Sequence, residues 1–431
     1  MWSFETDPEF QAKLDWADAF VREEVEPLDL VLGDPYDKSD EVANRILGPL
    51  QEQVRAQHLW ACHLRPELGG EGYGQLQLAL LNEILGRSRW APTVFGTQAP
   101  DSGNAEILAK YGTPEQKATY LQPLLDSKIS SCYSMTEPHA GADPTLFTTR
   151  AVRDGDEWVI NGEKWFSSNA RHSAFFLVMV VTDPEVDPHR GMSMFIVPAG
   201  TPGLEIVRDA GVGTEGPEES SHAYLRYTDV RVPADHLLGQ PGEGFAIAQT
   251  RLGGGRIHHG MRTVAQVRKA LDLMLERAVS RRLRNGRLAD SQLTQDAIAR
   301  SWIELEQFRL LLLRTAWLID KHQDYRAVRG DIAAVKVAMP DVYHSVVARA
   351  MHLHGALGMS NELPFAKMLV DAQVMGMVDG PTEVHVFTLA KSLLRDVEPG
   401  DELWSSGHLP TLRAKARAKF ADVLEHEVAQ L

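Results

Sequence analysis

Two cysteines, Cys62 and Cys132, are all that this chain of 431 residues contains. One pair is too few for a disulfide framework, so the fold has to rest on buried apolar surface, and a reducing compartment is expected. Positive charge is also in short supply: 44 Lys and Arg stand against 59 Asp and Glu, a formal net charge of -15. Nucleic acid and anionic membrane surfaces both repel such a protein, which excludes a general binder of either. A local basic pocket for a phosphate-bearing ligand stays open. No uninterrupted apolar stretch reaches the length that crosses a bilayer. The first residues, Met1-Trp2-Ser3-Phe4-Glu5-Thr6-Asp7, carry acids where a targeting peptide carries Lys or Arg. The expectation is a cytoplasmic protein used without import. Internal repeats and low-complexity stretches are missing as well.

What the chain has is length and a change of texture. Its length exceeds what one hydrophobic core usually supports, so two or three domains are expected. Residues 1–128 read as a helical domain, with apolar residues at helical spacing between Phe10 and Val25 and between Leu76 and Leu85. Residues 129–240 read as a β domain: Asp154-Gly155 and Asn161-Gly162 are hairpin signals, and Phe175 to Val181, Met192 to Val197 and Tyr224 to Val232 are rich in strand formers. Residues 241–397 turn helical again. Ile257, Met261, Val264, Val267, Leu271 and Met274 mark one apolar face, and Ile298, Trp302, Leu305, Leu312 and Ile319 another. A third helix, Val335 to Leu353, contains Pro340, which removes a donor and predicts a kink. Long helices of this kind suggest a bundle. A charged C-terminal extension, 398–431, includes a helical pattern from Leu409 to Leu431. The fold class is therefore α+β.

The run Tyr133-Ser134-Met135-Thr136-Glu137-Pro138-His139-Ala140-Gly141-Ala142-Asp143 and the later Asn161-Gly162-Glu163-Lys164-Trp165-Phe166-Ser167-Ser168-Asn169 offer hydroxyls, backbone donors and aromatic cover of the kind a flavin ring needs. With Met377-Val378-Asp379-Gly380-Pro381-Thr382-Glu383-Val384-His385 and Met351-His352-Leu353-His354-Gly355-Ala356-Leu357-Gly358, they resemble the acyl-CoA dehydrogenases. Gln98-Ala99-Pro100-Asp101-Ser102-Gly103-Asn104 and Arg251-Leu252-Gly253-Gly254-Gly255-Arg256-Ile257-His258-His259 look like the subgroup that includes family members 10 and 11 and similar bacterial proteins. The resemblance implies an N-terminal helical domain, a middle β-barrel or sandwich and a C-terminal four-helix bundle. It also implies FAD as cofactor, an acyl-CoA substrate, an electron-transfer flavoprotein as partner and a homodimer or homotetramer.

Carried over residue by residue, the resemblance assigns cofactor contacts to Tyr133, Met135, Thr136, Gly141, Ala142, Phe166, Ser167, Ser168, Pro381 and Glu383. Arg281, Gln292, His352, Gly355 and Ala356 would contribute across a subunit boundary. His352 stands where Gln is usual, Arg284 where an aromatic is usual, and Pro381 where Thr is usual. Asp379 takes the place of the catalytic base. Some relatives carry the base one residue before an arginine on the helix opening the C-terminal bundle; here that position is Gly255, beside Arg256, and glycine cannot act as a base. Substrate contacts fall to Asp143, Arg251, Arg256, His259, Arg262 and Gly380, the cations being suited to CoA phosphates. No metal ligand is assigned.

Removal of hydrogens from Cα and Cβ of a thioester needs a base for the weakly acidic α-proton and an acceptor for the hydride. A free Asp titrates near ~3.9, weak for this task, so desolvation by Met377, Val378 and the acyl chain is expected to raise Asp379. The function expected is α,β-dehydrogenation of an acyl-CoA. A flavin oxidase on the same scaffold, such as a nitroalkane oxidase, is the alternative enzyme, and a flavin-free scaffold protein the alternative from outside enzymology.

Overall fold

Acidic caps start the helices at the N-terminal end. In the computed structural model, which describes residues 5–213, 215, 221–400 and 403–428, Asp7 accepts a hydrogen bond from the Phe10 amide at 2.9 Å and Pro8 fills the first turn of α1, Pro8–Phe20. Met1–Phe4 of the acidic N-terminus and residues 429–431 at the other end lie outside the described residues. Asp40 caps α2, Glu41–Ala56, in the same way. A carboxylate from far along the chain starts α3, Gln75–Leu85: Asp320 receives the amides of Gln75 and Leu76. Helix α4, Asp101–Tyr111, completes the part that positions the site.

Eight strands follow: β1 Ser131–Ser134, β2 Arg150–Asp154, β3 Glu157–Ser168, β4 Phe175–Val181, β5 Met192–Pro198, β6 Leu204–Ala210, β7 His222–Pro233 and β8 Leu237–Leu238. They run β6-β7-β3-β1-β4-β5-β8 across one sheet, with β2 pairing both β3 and β4. The apolar run of β4 is explained by cover on both faces. Phe175, Leu177 and Met179 pack with Ile107, Leu108, Leu121 and Leu124 of the helical part, whereas Phe176, Val178 and Val180 pack with Phe195, Leu225 and Tyr227 in a second core. Asp154-Gly155 does turn the chain between β2 and β3. Asn161-Gly162, expected as a hairpin, lies inside β3 at a register shift against β7. There Asn161 exchanges hydrogen bonds with Asp229, and a Cβ at Gly162 would come within 2.6 Å of Thr149, so the glycine serves a close approach and not a turn.

The C-terminal helices are α5 Gly244–Ser280, α6 Gln292–His322, α7 Arg329–His354, α8 Phe365–Met375 and α9 Thr382–Leu394. Every residue named for the first apolar face, from Ile257 to Met274, is buried. Leu305, Leu312 and Ile319 are buried on α6, but Trp302 is 56% exposed, because the stripe on that helix is narrower than its aromatic content suggests. Helix α7 runs through Pro340 without ending. Leu78, Leu81 and Leu85 of α3 share one core with Met261 and Val264 of α5 and with Val335 and Met339 of α7, so the two helical segments are packed as one body.

Gly253-Gly254-Gly255 lies within α5, where each glycine costs about 1 kcal/mol relative to Ala. Three neighbours explain the run. A Cβ at Gly253 would meet the Tyr325 ring at 2.9 Å, one at Gly254 the Glu106 carboxylate at 3.1 Å, and one at Gly255 the Asp379 carboxylate at 2.7 Å. The body just described ends at Thr388, and Leu389–Leu431 forms a second unit. In it, the helix expected from Leu409 onward is two helices, α10 Leu409–Lys419 and α11 Ala421–Val428.

Candidate active site

Asp379 sits in the short link between α8 and α9, in a left-handed conformation (φ 55°) that non-glycine residues rarely adopt. Side chains from three helices hold it there. Arg256 of α5 donates to the Asp379 carbonyl at 2.9 Å, and His385 of α9 approaches the same oxygen at 3.3 Å. Lys336 of α7 donates to the carbonyls of Met375 and Val378, each at 2.7 Å. The carboxylate is 15% exposed, faces the bare backbone of Gly255 and lies 3.5 Å from Nε2 of His259. Of the two residues expected to desolvate it, Val378 is partly buried, but Met377 is 63% exposed and turns away.

The cations predicted around it are not solvated. Arg251 donates to Asn104 and stacks its guanidinium 3.7 Å over the Tyr133 ring. Arg262 donates to Asn82 and to the Thr97 carbonyl, and burial pulls it down to about 10. Arg256 and Arg262 are thereby committed to protein acceptors inside the fold, as struts, before any phosphate arrives. Burial pushes His259 down to about 4 against the opposing pull of Asp379, and takes His63 and His385 to the same range. These imidazoles are neutral at pH 7. Their folded values lie below the ordinary 6.5, so the stability they contribute is complete above pH 6.5 and is lost as pH falls towards 4, where the unfolded chain binds protons that the folded one refuses. Thermal melts from pH 7 to 4.5 should show a steady fall in Tm, with a smaller fall in His63→Gln. A flat profile would mean these rings are charged in the fold.

A cradle for a planar ring is built on β1 and β3. The Trp165 amide donates to the Thr136 carbonyl at 2.8 Å, and Trp165 stacks on Phe166 with centroids 4.9 Å apart. Phe166 is held at φ 50° with 46% of its surface exposed, an unfavourable arrangement unless something covers it. The hydroxyls of Thr136 and Ser168 have no partner among the described residues. Ser167, by contrast, is fully buried and donates to Ser134, which bonds Tyr227, so it faces the interior of the β domain. Tyr133 is buried under Arg251, Met135 is partly buried, and Gly141, Ala142 and Asp143 are exposed. The Asp143 carboxylate caps a short turn through Thr145. An aromatic platform with free hydroxyls beside it fits an isoalloxazine.

Behind the cradle lies a buried ion pair. Lys164, fully buried, donates to Glu137 at 2.9 Å and to the Met135 carbonyl at 2.8 Å, while Glu137 also accepts from the amides of Thr148 and Thr149. Burial lowers Lys164 to about 8, and burial of Glu137 is outweighed by Lys164 and the Thr148 amide, so both stay charged at neutral pH. Lys164→Met strands a buried carboxylate and frees the Met135-Thr136 backbone. It should cost about 3–5 kcal/mol of stability, read by urea unfolding. A loss below about 1 kcal/mol would remove the pair from the scaffold of the cradle.

Arg281 and Gln292 are exposed, as are His352, Gly355, Ala356 and Glu383, while Pro381 is partly buried beside Asp379. Arg282-Leu283 and Gly286-Arg287 form a two-stranded hairpin, so the basic stretch is an ordered arm and not a plain loop. The sequence reading missed Lys336, the Lys164–Glu137 pair and the role of His385. A lone lysine between Val335 and Val337, within the apolar run from Ile332 to Pro340, was the available signal for the first.

Comparison with known proteins finds the same order of domains. Models of the N-terminal, middle and C-terminal domains of acyl-CoA dehydrogenases match residues 7–128, 132–230 and 242–394. FadE2 of Mycobacterium tuberculosis, named a "probable acyl-CoA dehydrogenase", is 42% identical over 362 residues, 83% of this chain and 87% of that protein. Mouse acyl-CoA dehydrogenase family member 10 is 38% identical over 88% of this chain, which spans only 36% of that protein. Among solved structures, butyryl-CoA dehydrogenase from Megasphaera elsdenii superposes with a TM-score of 0.77 at 25% identity, covering 91% of this chain and 100% of that one.

Proposed function

The chain belongs to the acyl-CoA dehydrogenase family, and from that premise we propose that it converts an acyl-CoA thioester to the trans-2-enoyl-CoA, with FAD as cofactor and an electron-transfer flavoprotein as electron acceptor. When bound, FAD supplies the acceptor for the hydride that leaves Cβ. Met135, Thr136, Phe166 and Ser168 would hold its ring system, and the exposed Arg281, Gln292, His352, Gly355 and Ala356 suit contacts with the cofactor of a second copy in a homodimer or homotetramer.

One observation carries the reading. The carboxylate of Asp379 occupies the space that a side chain at Gly255 would fill, which supports reading Asp379 as the base. In the proposed reaction Asp379 takes the α-proton as the Cα–H bond breaks, and its own negative charge is neutralised. Its backbone carbonyl is held by Arg256 and His385, so the carboxylate is oriented before substrate binds, and orientation supplies much of the rate. His259 stays neutral beside it. Asp143, Arg251, His259 and Gly380 are the substrate contacts that remain open.

The test is an anaerobic titration of purified protein with acyl-CoAs of increasing length. Bleaching of bound flavin with one enoyl-CoA formed per flavin is the result expected. Protein isolated without flavin, and unable to bind added FAD, would point to a scaffold. Reduced protein that reacts quickly with oxygen and slowly with an electron-transfer flavoprotein would point to an oxidase.

A further inference from the structure

Lys336 is a charged side chain with no exposed surface and no carboxylate within ion-pair distance among the described residues. Burying an ammonium in this way is costly unless it serves something. Both of its hydrogen bonds go to backbone carbonyls of the link that carries Asp379: Met375, the last residue of α8, and Val378, the residue before the base. A cation at a helix C-terminus satisfies carbonyls left without donors and matches the negative end of the helix.

The link itself is not relaxed. Asp379 is held at φ 55° and Gly380 at φ 106°. Three fixed points therefore hold a strained turn: Lys336 before the base, Arg256 and His385 on the base's own carbonyl. Arg256 bonds from α5 and His385 from α9, so Lys336 is the tie to α7. Resting on the reading of Asp379 as the base, we propose that Lys336 is a positioning residue for the α-proton transfer: it fixes the turn that aims the Asp379 carboxylate.

Lys336 keeps its charge in these surroundings. Burial lowers it to about 8, Asp379 pulls it back up and Arg256 pushes it down further, so at pH 7 the ammonium is charged. The other titratable groups facing Asp379 are His259, Arg256 and Arg251 on α5, His385 on α9 and Tyr133 on β1. The histidines are neutral and Tyr133 is raised to about 12, so at neutral pH Lys336 and the arginines are the charged members.

The test compares Lys336→Met, Lys336→Gln and Asp379→Asn as full-length protein reconstituted with FAD. Exchange of the α-proton of acyl-CoA with deuterated water reports the base without any hydride transfer. Lys336→Met should lose about 10²-fold in exchange rate, with CoA-ester affinity within about twofold of the parent. Lys336→Gln keeps an N–H donor but not the charge. It should lose exchange rate by a smaller factor than Lys336→Met, because the retained donor still reaches a carbonyl of the turn. If Lys336→Met does not fold, Lys336→Gln alone decides. A parental exchange rate in that variant would overturn the positioning role. If Asp379→Asn also exchanged normally, the base assignment itself would be wrong; if only Lys336 variants were normal, the base reading would stand without this support.

Discussion

Asp379→Asn is expected to keep its FAD and its affinity for CoA esters, and to be reduced by acyl-CoA about 10²–10⁴-fold more slowly than the parent. The amide matches the carboxylate in size, and the turn is held through the backbone carbonyl by Arg256 and His385 and through Met375 and Val378 by Lys336, none of which needs the side chain. What is lost is the lone pair able to take the α-proton. The alternative position on α5 is Gly255, which offers no side chain, and His259, 3.5 Å from Oδ2 in the parent, is kept neutral by burial. His259 could accept a proton only by becoming a buried cation against the charges of Lys336, Arg262 and Arg251. Stopped-flow reduction under anaerobic conditions measures the rate, and a thermal melt confirms the fold. Reduction within about threefold of the parent rate would move the base elsewhere.

Much of this site was legible because its chemistry is written in short runs. Asp379 is embedded in a stretch that resembles the family's base segment, and its absence at Gly255 was readable from one letter. The strands were legible where an apolar run is covered on both faces, as in β4, since such a run has few other uses. What failed was context. Asn161-Gly162 has the composition of a turn, and only the approach of Thr149 and the exchange with Asp229 explain why it lies in a strand. Lys336 gave no motif, because its partners are backbone carbonyls some forty residues downstream, and a carbonyl has no letter in the sequence. The glycine run of α5 carried the resemblance in the sequence but not its structural reason. Each member in fact admits a different neighbour, and none of those neighbours is close in the chain.

Gly255→Ala separates stability from catalysis at that run. In the middle of α5 the change from Gly to Ala favours the helix by about 1 kcal/mol. Its Cβ, however, would come to 2.7 Å from Oδ2 of Asp379, closer than any real contact of that kind. Something has to move. The α5 backbone is fixed in a buried core, and the backbone of Asp379 is held by Arg256, His385 and Lys336. The mobile part is the short carboxylate, which has to swing away from α5 and out of line with the substrate. A displacement of about 1 Å costs on the order of 10²-fold in a positioned reaction. The variant is therefore expected to melt no lower than the parent, to bind FAD normally, and to show flavin reduction slower by about 10²-fold. Equal melting temperature with an unchanged reduction rate would show that the carboxylate has another productive position, and the claim that the bare backbone at Gly255 shapes the place of the base would fail.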